Sequence, residues 1–152
     1  MLIYKLGPKK FAPDLQGIGA KLYGGRWNHI DTACIYTSAN KSLSMLEYSV
    51  HLKLATFKPD LVFTTYEVDP SHFHKIDVSD LPIGWDSIPT LKSTKDIASN
   101  HFKDNPESLG LIVPSIIIPD ELNFLLNPLS SKFPEVKVLS VIDHHYDKRI
   151  KM

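Results

Sequence analysis

The 152-residue sequence has a single cysteine, no excess charge of either sign and no long apolar run. One cysteine excludes an internal disulfide framework and is typical of a reducing compartment. The 17 basic and 17 acidic residues cancel, which argues against general affinity for nucleic acid or acidic membrane surfaces. No apolar stretch approaches the ~20 residues that span a bilayer, and no signal-peptide pattern opens the chain. We therefore expect a cytoplasmic protein that binds neither membranes nor, directly, nucleic acid.

The rest of the composition, 43% apolar and 22% charged residues, is that of a globular chain, and the length fits one domain over residues 1–152. Short apolar and β-branched runs between turn residues predict strands. The predicted strands are Leu2–Leu6, Ala33–Thr37, Leu61–Val68, Leu109–Ile118 with a break at Pro114, and Val136–Ile142. Phe11–Ala20 is expected to be a loop and Thr90–Phe102 a weakly periodic helix. Cys34 should be a small buried hydrophobe in its strand.

The turn Gly24-Gly25-Arg26-Trp27-Asn28 carries the first feature that looks chemical. A pair of glycines lets the backbone come close to a ligand and take positive φ without steric cost. The planar guanidinium of arginine presents a rigid fork of donors that matches phosphate oxygens. We therefore expect Arg26 to contact an anionic or phosphorylated ligand.

The second chemical feature is Glu47, which lies within a predicted amphipathic helix. The apolar residues that define this helix by their spacing of three and four are Leu43, Leu46, Val50 and Leu54. At 100° per residue, Glu47 falls inside the apolar arc, roughly 40° from Leu43, whereas Ser44 lies on another face. A carboxylate on a buried face is costly unless it is paired or solvated in a cleft. Glu47 should therefore border either a buried partner or a pocket.

Simpler structural interpretations of these residues stay open. Arg26 and Glu47 could pair as an internal salt bridge, because structural ion pairs also put charges in unusual places. In the run Val113-Pro114-Ser115, the proline removes a ladder donor, so the strand is an edge or breaks there. The Ser115 hydroxyl then either faces a ligand or closes a turn.

Two groups of residues suggest a metal site, and one glycine pair suggests a nucleotide fold. His72, His74 and Asp77 lie close in sequence, as do Asp143-His144-His145. Neither group has a recognised ligand spacing, so surface histidines are the favoured interpretation. Gly17-Ile18-Gly19 has no strand directly before it and no third glycine at the required distance, which excludes a dinucleotide-binding fingerprint.

Taken together, these stretches resemble the RES-domain family, which is named after an arginine, a glutamate and a serine. The matching residues are Arg26 in the Gly24–Asn28 turn, Glu47 in Met45-Leu46-Glu47, and Ser115 in Val113-Pro114-Ser115. Further stretches match in the family's order: Gly17–Ala20, Ile35–Ser38, Leu81-Pro82 before Trp85, Asn123–Pro128, and Tyr146–Arg149. The ordered set over nearly the whole chain, rather than any single motif, carries the resemblance.

The sequence also departs from the family's pattern at four places. These are Lys5, where an arginine often follows the opening tyrosine; His29-Ile30-Asp31, where Pro-x-Gly usually follows the asparagine; Ser130-Ser131, which lacks the His-Pro pair; and Thr94–Phe102, which lacks a tryptophan. The departures concern loops around the site and leave the three name-giving residues in place.

The resemblance implies an α+β fold of the ADP-ribosyltransferase type, a split, mixed β core with helices around it. It also implies NAD+ as the substrate, consumed by hydrolysis or phosphorolysis in some members and used for protein ADP-ribosylation in others. Cleavage of the nicotinamide–ribose bond passes through an oxocarbenium-like state, which a carboxylate stabilises as in glycosidases. No metal or further cofactor is required, because nicotinamide is already a cationic leaving group.

The resemblance assigns roles to five residues. Glu47 would stabilise the charged ribose and Arg26 would hold a phosphate of the dinucleotide. Tyr36 would stack on nicotinamide, and Ser115 and Asn127 would orient the ribose by hydrogen bonds.

The resemblance also implies a partner. The family is the toxin half of bacterial toxin–antitoxin pairs whose antitoxin carries a helix-turn-helix of the Xre kind. We expect such an antitoxin to occlude the NAD+ pocket. The complex could contain a homodimer of this chain. The alternative of another class is an inert nucleotide- or partner-binding module that kept the fold and lost turnover. The presence of Arg26, Glu47 and Ser115 favours the enzyme.

Overall fold

A computed structural model describes residues 1–57 and 60–151 of the chain. Its seven strands are β1 (Leu2–Pro8), β2 (Ile35–Ser38), β3 (Leu61–Glu67), β4 (Phe73–Lys75), β5 (Gly110–Pro114), β6 (Leu122–Leu126) and β7 (Lys137–His144). Its three α-helices are α1 (Ile18–Tyr23), α2 (Lys41–His51) and α3 (Lys92–Asp104). No helix in the described part of the chain is both long and apolar enough to cross a bilayer.

The seven strands form one mixed sheet in the order β4-β5-β6-β2-β1-β3-β7. β4 and β5 are parallel, and every other neighbouring pair is antiparallel. β1 and β3 pair along all of β1, but β1 and β2 meet only where Tyr4 opposes Ser38. The backbone N–H of Leu6 donates instead to the Ser44 hydroxyl of α2, at 2.9 Å. The sheet is therefore split between β1 and β2, which confirms the predicted split, mixed core.

The two longer helices cover the same face of the sheet on either side of this split. Tyr4 and Ser38 oppose each other and so point to one face, as do their strand neighbours two residues away, Leu6 and Tyr36. Leu6 packs in the apolar cluster beneath α2, and Tyr36 packs against the cluster beneath α3. The two helices thus flank the split on one face of the sheet, and the space over the split between them is the candidate cleft.

Each half of this face has its own core. Under α2, Leu6, Leu52, Leu61, Phe63 and Tyr146 form one buried cluster. Under α3, Ala98 and Phe102 pack with a second set made of Trp27, Cys34, Leu81, Leu111, Val113 and Leu125. Cys34 is 1% exposed, and burial raises the pKa of its thiol, so it is the small buried hydrophobe predicted from sequence. The two cores fix the helices and hence the walls of the cleft.

Most of the predicted elements are confirmed within a few residues, including a full helix where the Thr90–Phe102 pattern was weak. β5 ends at Pro114, as the missing ladder donor requires. The loop expected over Phe11–Ala20 is wrong at its end, because α1 already begins at Ile18. β6 was not predicted: it is buried on both faces, so its residues show no alternation between apolar and polar side chains.

The predicted apolar face of α2 is wrong in part. Leu43 is fully buried, but Val50 is 54% exposed and Ser44 is buried in its place. Ser44 accepts the Leu6 N–H, and the Ser49 hydroxyl lies 2.7 Å from that of Tyr146. Because their hydroxyls are hydrogen-bonded, these serines can face the sheet at little cost. The face of α2 that packs on the sheet is therefore rotated away from the face that the apolar residues predict.

Candidate active site

Glu47 projects from α2 into the cleft and is held by two polar side chains. Its Oε1 accepts hydrogen bonds from Ser115 Oγ at 2.8 Å and from Asn123 Nδ2 at 2.6 Å. Its Oε2 accepts no hydrogen bond from the residues that the structure describes, and the side chain is half-buried. The carboxylate therefore has one anchored oxygen and one that is available to a ligand.

Of the two interpretations that the sequence left open for Ser115, the structure shows the closing of a turn, together with a bond to Glu47. Its hydroxyl accepts hydrogen bonds from the backbone N–H groups of Ile117 at 3.0 Å and Ile118 at 3.1 Å, which closes the turn after β5. The same hydroxyl donates a hydrogen bond to Glu47, and the residue is fully buried. This geometry favours a role in holding Glu47, whereas the predicted hydrogen bond to ribose stays a prediction.

The Gly24-Gly25 pair shapes the turn that presents Arg26. Gly24 has a φ of +68°, in the region that favours glycine. A Cβ on Gly25 would clash with Tyr36 Oη and lie 2.9 Å from Asn28 Oδ1. Gly24 therefore provides the positive φ of the turn, and Gly25 lets the backbone pack this closely beside Tyr36.

Arg26 is anchored by one edge of its guanidinium. Nη1 donates to the backbone carbonyls of Trp85 at 3.0 Å and Ser87 at 3.1 Å. Nε and Nη2, the edge that can bind carboxylates and phosphates bidentately, donate to none of the described residues. The side chain is thus fixed in direction before any ligand arrives.

Arg26 and Glu47 lie near each other without forming an ion pair. No nitrogen of Arg26 comes within 4.0 Å of a Glu47 oxygen, which excludes the salt bridge considered above for these two described residues. Burial lowers the pKa of Arg26, while the nearby charges of Glu47 and Asp86 act in the opposite direction. A guanidinium and a carboxylate that lie close to each other without pairing can bind a ligand that carries both negative and positive charge.

Tyr36 stands on β2 beside the arginine turn. Its hydroxyl donates to Asn28 Oδ1 at 2.5 Å and accepts from the backbone N–H of Trp27 at 3.1 Å. Burial raises the pKa of Tyr36 well above its ordinary value, so the phenol is neutral. The residue braces the turn that holds Arg26. Its predicted stacking on nicotinamide stays a prediction.

Asn127 lies apart from the other four predicted residues. It follows β6, where its Oδ1 accepts the Leu129 N–H at 3.0 Å and its own N–H donates to the Leu109 carbonyl at 2.8 Å. It is four residues from Asn123, about 13 Å along an extended strand. The structure brings together Arg26, Tyr36, Glu47 and Ser115. It gives the predicted ribose contact of Asn127 no geometric support.

Two asparagines of the site were present in the family motifs but were not predicted to act there. Asn123 binds Glu47 directly. Asn28 is fully buried, and its Nδ2 donates to the carbonyls of Ala20, His29 and Thr32, which closes the loop behind Arg26. Their places in the Gly24–Asn28 and Asn123–Pro128 motifs were the signal that could have pointed to them, because the burial of a single asparagine is not visible in a sequence.

Two of the departures from the family pattern contact each other. His29 Nε2 lies 2.7 Å from Asp96 Oδ1 of α3, and the His29 N–H donates to Ser99 Oγ at 2.9 Å. Ser99 Oγ also accepts the Thr32 hydroxyl at 3.0 Å. The altered loop after Asn28 and the altered helix α3 therefore form one interface, which supports the Arg26 turn from behind.

The histidine groups do not gather into a metal site. Within residues 1–57 and 60–151, no three His, Cys, Asp or Glu side chains are arranged to hold a metal ion. His74 stacks on His101, with ring centroids 5.5 Å apart, and His72 Nδ1 lies 3.6 Å from a Glu135 oxygen.

A separate groove of about 740 Å³ lies between β1, β3 and the segment from Phe11 to Tyr23. Its walls include Lys5 and Thr64, which oppose each other across β1 and β3. This pair lies directly next to the opposed pair Tyr4 and Thr65. Side chains alternate along strands, so the groove opens on the face opposite Glu47. It is not part of the candidate active site.

The fold agrees with the comparisons to known proteins. The model of the RES domain matches residues 2–147, so the chain belongs to the RES-domain family. A chain from the crystal structure of the M. tuberculosis MbcT–MbcA toxin–antitoxin complex superimposes with a TM-score of 0.71 at 16% identity, over 95% of this chain and 84% of the other. The α+β fold with a split, mixed sheet, expected from the sequence, is thereby confirmed.

Individual relatives are similar over almost their whole length. A protein named Toxin Res from Yersinia enterocolitica is 33% identical over 99% of this chain and 100% of its own. A Toxin Res from Photorhabdus laumondii is 32% identical over 99% of this chain and 97% of its own. A Prs ADP-ribosylating toxin from Sphingobium is 33% identical over 91% of this chain and 88% of its own.

Proposed function

We propose that this chain is the toxin of a toxin–antitoxin pair, and that it consumes NAD+ by cleaving the bond between nicotinamide and ribose. Its similarity to proteins named as toxins supports the first part. The observation that carries the second is the pairing across one cleft of a half-anchored carboxylate, Glu47, with the open edge of Arg26. NAD+ is the substrate, and the proposal requires no other cofactor.

The chemistry needs a fixed negative charge beside the ribose. As the bond from the ribose C1′ to the nicotinamide nitrogen breaks, its electron pair leaves with nicotinamide and positive charge spreads over the ribose. Glu47 Oε2 would stabilise this charge, while Oε1 stays bound to Ser115 and Asn123. In hydrolysis, a water oxygen then bonds to C1′ and its surplus proton passes to solvent. In phosphorolysis, an unprotonated phosphate oxygen bonds to C1′ and no proton needs to leave.

Arg26 would bind a phosphate of the dinucleotide through Nε and Nη2. Its Nη1 is held by two backbone carbonyls, so little side-chain freedom remains to be lost on binding. Tyr36, fixed beside the arginine turn, would offer its ring to nicotinamide. The four clustered residues would thus position the dinucleotide with its scissile bond near Glu47.

A second candidate is transfer of ADP-ribose to a host protein. It is favoured by the 33% identity to a relative named as an ADP-ribosylating toxin. The first step is the same, because the nicotinamide bond breaks and a nucleophile then attacks C1′. Only the attacking group differs, an amino acid side chain in place of water or phosphate.

We also propose a partner for the site. A protein that consumes NAD+ in the cytoplasm would harm its own cell, so its activity must be held off. An antitoxin with an Xre-type helix-turn-helix that occludes the cleft would do so, in a complex that could contain a homodimer of this chain. The similarity in fold to a chain of the MbcT–MbcA toxin–antitoxin complex supports an antitoxin partner.

Incubation of the purified chain with NAD+, with and without phosphate, tests the function. We expect free nicotinamide together with ADP-ribose, or with ADP-ribose 1″-phosphate when phosphate is the acceptor. The same incubation with a cell extract and labelled NAD+ would reveal protein ADP-ribosylation. Intact NAD+ in all three mixtures would instead favour the inert binding module. Glu47→Gln serves as the control for contaminating activity.

A further inference from the structure

The side chain of Asn123 is bound at both ends. Its Nδ2 donates to Glu47 Oε1 at 2.6 Å, and its Oδ1 accepts the Ser38 hydroxyl at 2.7 Å. Ser38 and Asn123 oppose each other across β2 and β6, and they are only 3% and 8% exposed. A buried chain of hydrogen bonds therefore runs from Ser38 through Asn123 to Glu47.

An amide has a direction, and Glu47 tolerates only one. With Nδ2 toward the carboxylate the contact is an attractive hydrogen bond; after a flip, Oδ1 would face Oε1 and repel it. Glu47 selects this orientation, and the Ser38 hydroxyl, which donates to Oδ1, holds the amide in place. Ser38 thereby acts on Glu47 without touching it.

The two strands do not need this bond for their own pairing. β2 and β6 already pair over four opposed residues, from Ile35 to Ser38 on β2. On the other face of β2, the Thr37 hydroxyl donates to the Phe124 carbonyl at 2.9 Å. A buried polar pair in place of an apolar one gains nothing for packing, which points to a use at the carboxylate.

We propose that Ser38 and Asn123 are positioning residues that orient Glu47 so that Oε2 faces the ribose; the inference rests on the proposed function. With Ser115, they immobilise Oε1 from two directions. A carboxylate that is free to turn would still allow NAD+ to bind through Arg26, but would stabilise the transition state less well. Loss of the relay should therefore lower kcat and leave KM nearly unchanged.

A double-mutant cycle tests the relay. We expect Asn123→Leu to lower kcat about 100-fold and Ser38→Ala about tenfold, with KM within roughly twofold of wild type. Because Ser38 acts through Asn123, adding Ser38→Ala to Asn123→Leu should lower kcat no further. Thr37→Val is the matched control: it removes one buried hydroxyl between the same strands, on the face away from Glu47, and should keep kcat. A Ser38→Ala effect that persists in full beside Asn123→Leu would overturn the proposal, as would an unchanged kcat.

A second measurement does not depend on turnover. In ¹⁵N-labelled protein, the Asn123 side-chain NH₂ signals, assigned by their loss in Asn123→Asp, should exchange slowly with solvent. They should shift in Glu47→Gln, and Ser38→Ala should speed their exchange, whereas Thr37→Val should do neither. Asn123 signals whose shift is unchanged in Glu47→Gln and whose exchange rate is unchanged in Ser38→Ala would overturn the relay. A wild-type protein with the expected signals but no NAD+ cleavage would instead refute the proposed reaction and leave the positioning of Glu47 in place.

Discussion

Ser115 and Glu47 are 68 residues apart in sequence and are joined by a hydrogen bond of 2.8 Å. The serine follows the proline that ends β5, and the glutamate stands in the middle of α2, so the bond links the two halves of the split sheet. Since Oε1 is occupied in this way, the free oxygen of Glu47 has a defined direction. The preorganisation of the site is thus a property of the whole fold.

Removal of the Ser115 hydroxyl should therefore weaken both the site and the turn. In Ser115→Ala, Glu47 loses one of its two donors, and we expect kcat to fall roughly tenfold. The N–H groups of Ile117 and Ile118 lose their acceptor, at a cost of about 1–3 kcal/mol of unfolding free energy. Ser130→Ala is a matched control, because Ser130 is also buried and accepts a backbone N–H, from Lys132 at 3.0 Å. Equal losses of kcat in the two variants would contradict a role of Ser115 at Glu47.

Glu47→Gln should abolish turnover and preserve the fold. Glutamine keeps an oxygen that can accept from Ser115 and Asn123, but it lacks the negative charge that stabilises the ribose cation. Loss of one such stabilising group typically costs ~100-fold or more in rate. NAD+ consumption and thermal unfolding would be measured together, with Glu67→Gln, near the surface of β3, as control. Near-wild-type turnover would refute the assignment, and an unfolded protein would favour a purely structural role.

Arg26→Lys tests whether the guanidinium fork, and not the charge alone, binds the dinucleotide. Lysine cannot donate to two carbonyls and to a phosphate in the same fixed geometry, so affinity for NAD+ should drop clearly. Calorimetric titration of both proteins gives the comparison. Arg149→Lys, at an exposed ion pair with Asp147, should leave the affinity unchanged. Equal affinities of Arg26→Lys and wild type would show that Arg26 does not bind a phosphate.

How much of this site was visible in the sequence depends on the residue. The turn before Arg26 is indicated by two glycines, and Glu47 by its place on an apolar arc. That Ser115 meets Glu47 could be expected only from the family resemblance, because no periodicity connects positions 68 residues apart. Asn123 was missed because the strand that carries it shows no alternation of apolar and polar residues. Neither the strand nor the face to which each of its side chains points could therefore be predicted.

The contact between His29 and Asp96 makes part of the stability depend on pH. Hydrogen bonds from His29 and then Lys92 lower the pKa of Asp96 from its ordinary value of 3.8. A carboxyl group whose pKa is lowered by folding contributes stability above its unfolded pKa, and this is lost as the pH falls through the folded pKa. Asp96→Asn should therefore lower Tm near neutral pH, and the gap to wild type should close below about pH 3.8. Asp120→Asn, at an exposed position, should show no such gap, and a gap for Asp96→Asn that stayed constant with pH would contradict the assignment.

The open edge of Arg26 also suggests how an antitoxin would block the site. Nη1 donates to the carbonyls of Trp85 and Ser87, while Nε and Nη2 donate to none of the described residues and can bind an anion. A chain terminus inserted into the cleft would bring a carboxylate of the right geometry and would compete with the dinucleotide phosphate.

We therefore expect that deleting the last few residues of the antitoxin releases NAD+ consumption even where the complex persists. Complex formation would be followed by size-exclusion chromatography and NAD+ by its loss in the same samples. Replacement of those residues by a Gly-Ser tail of equal length separates the role of the terminal side chains from that of the terminal carboxylate. An antitoxin that still inhibits fully after truncation would show that Arg26 is blocked in some other way than by an inserted terminus.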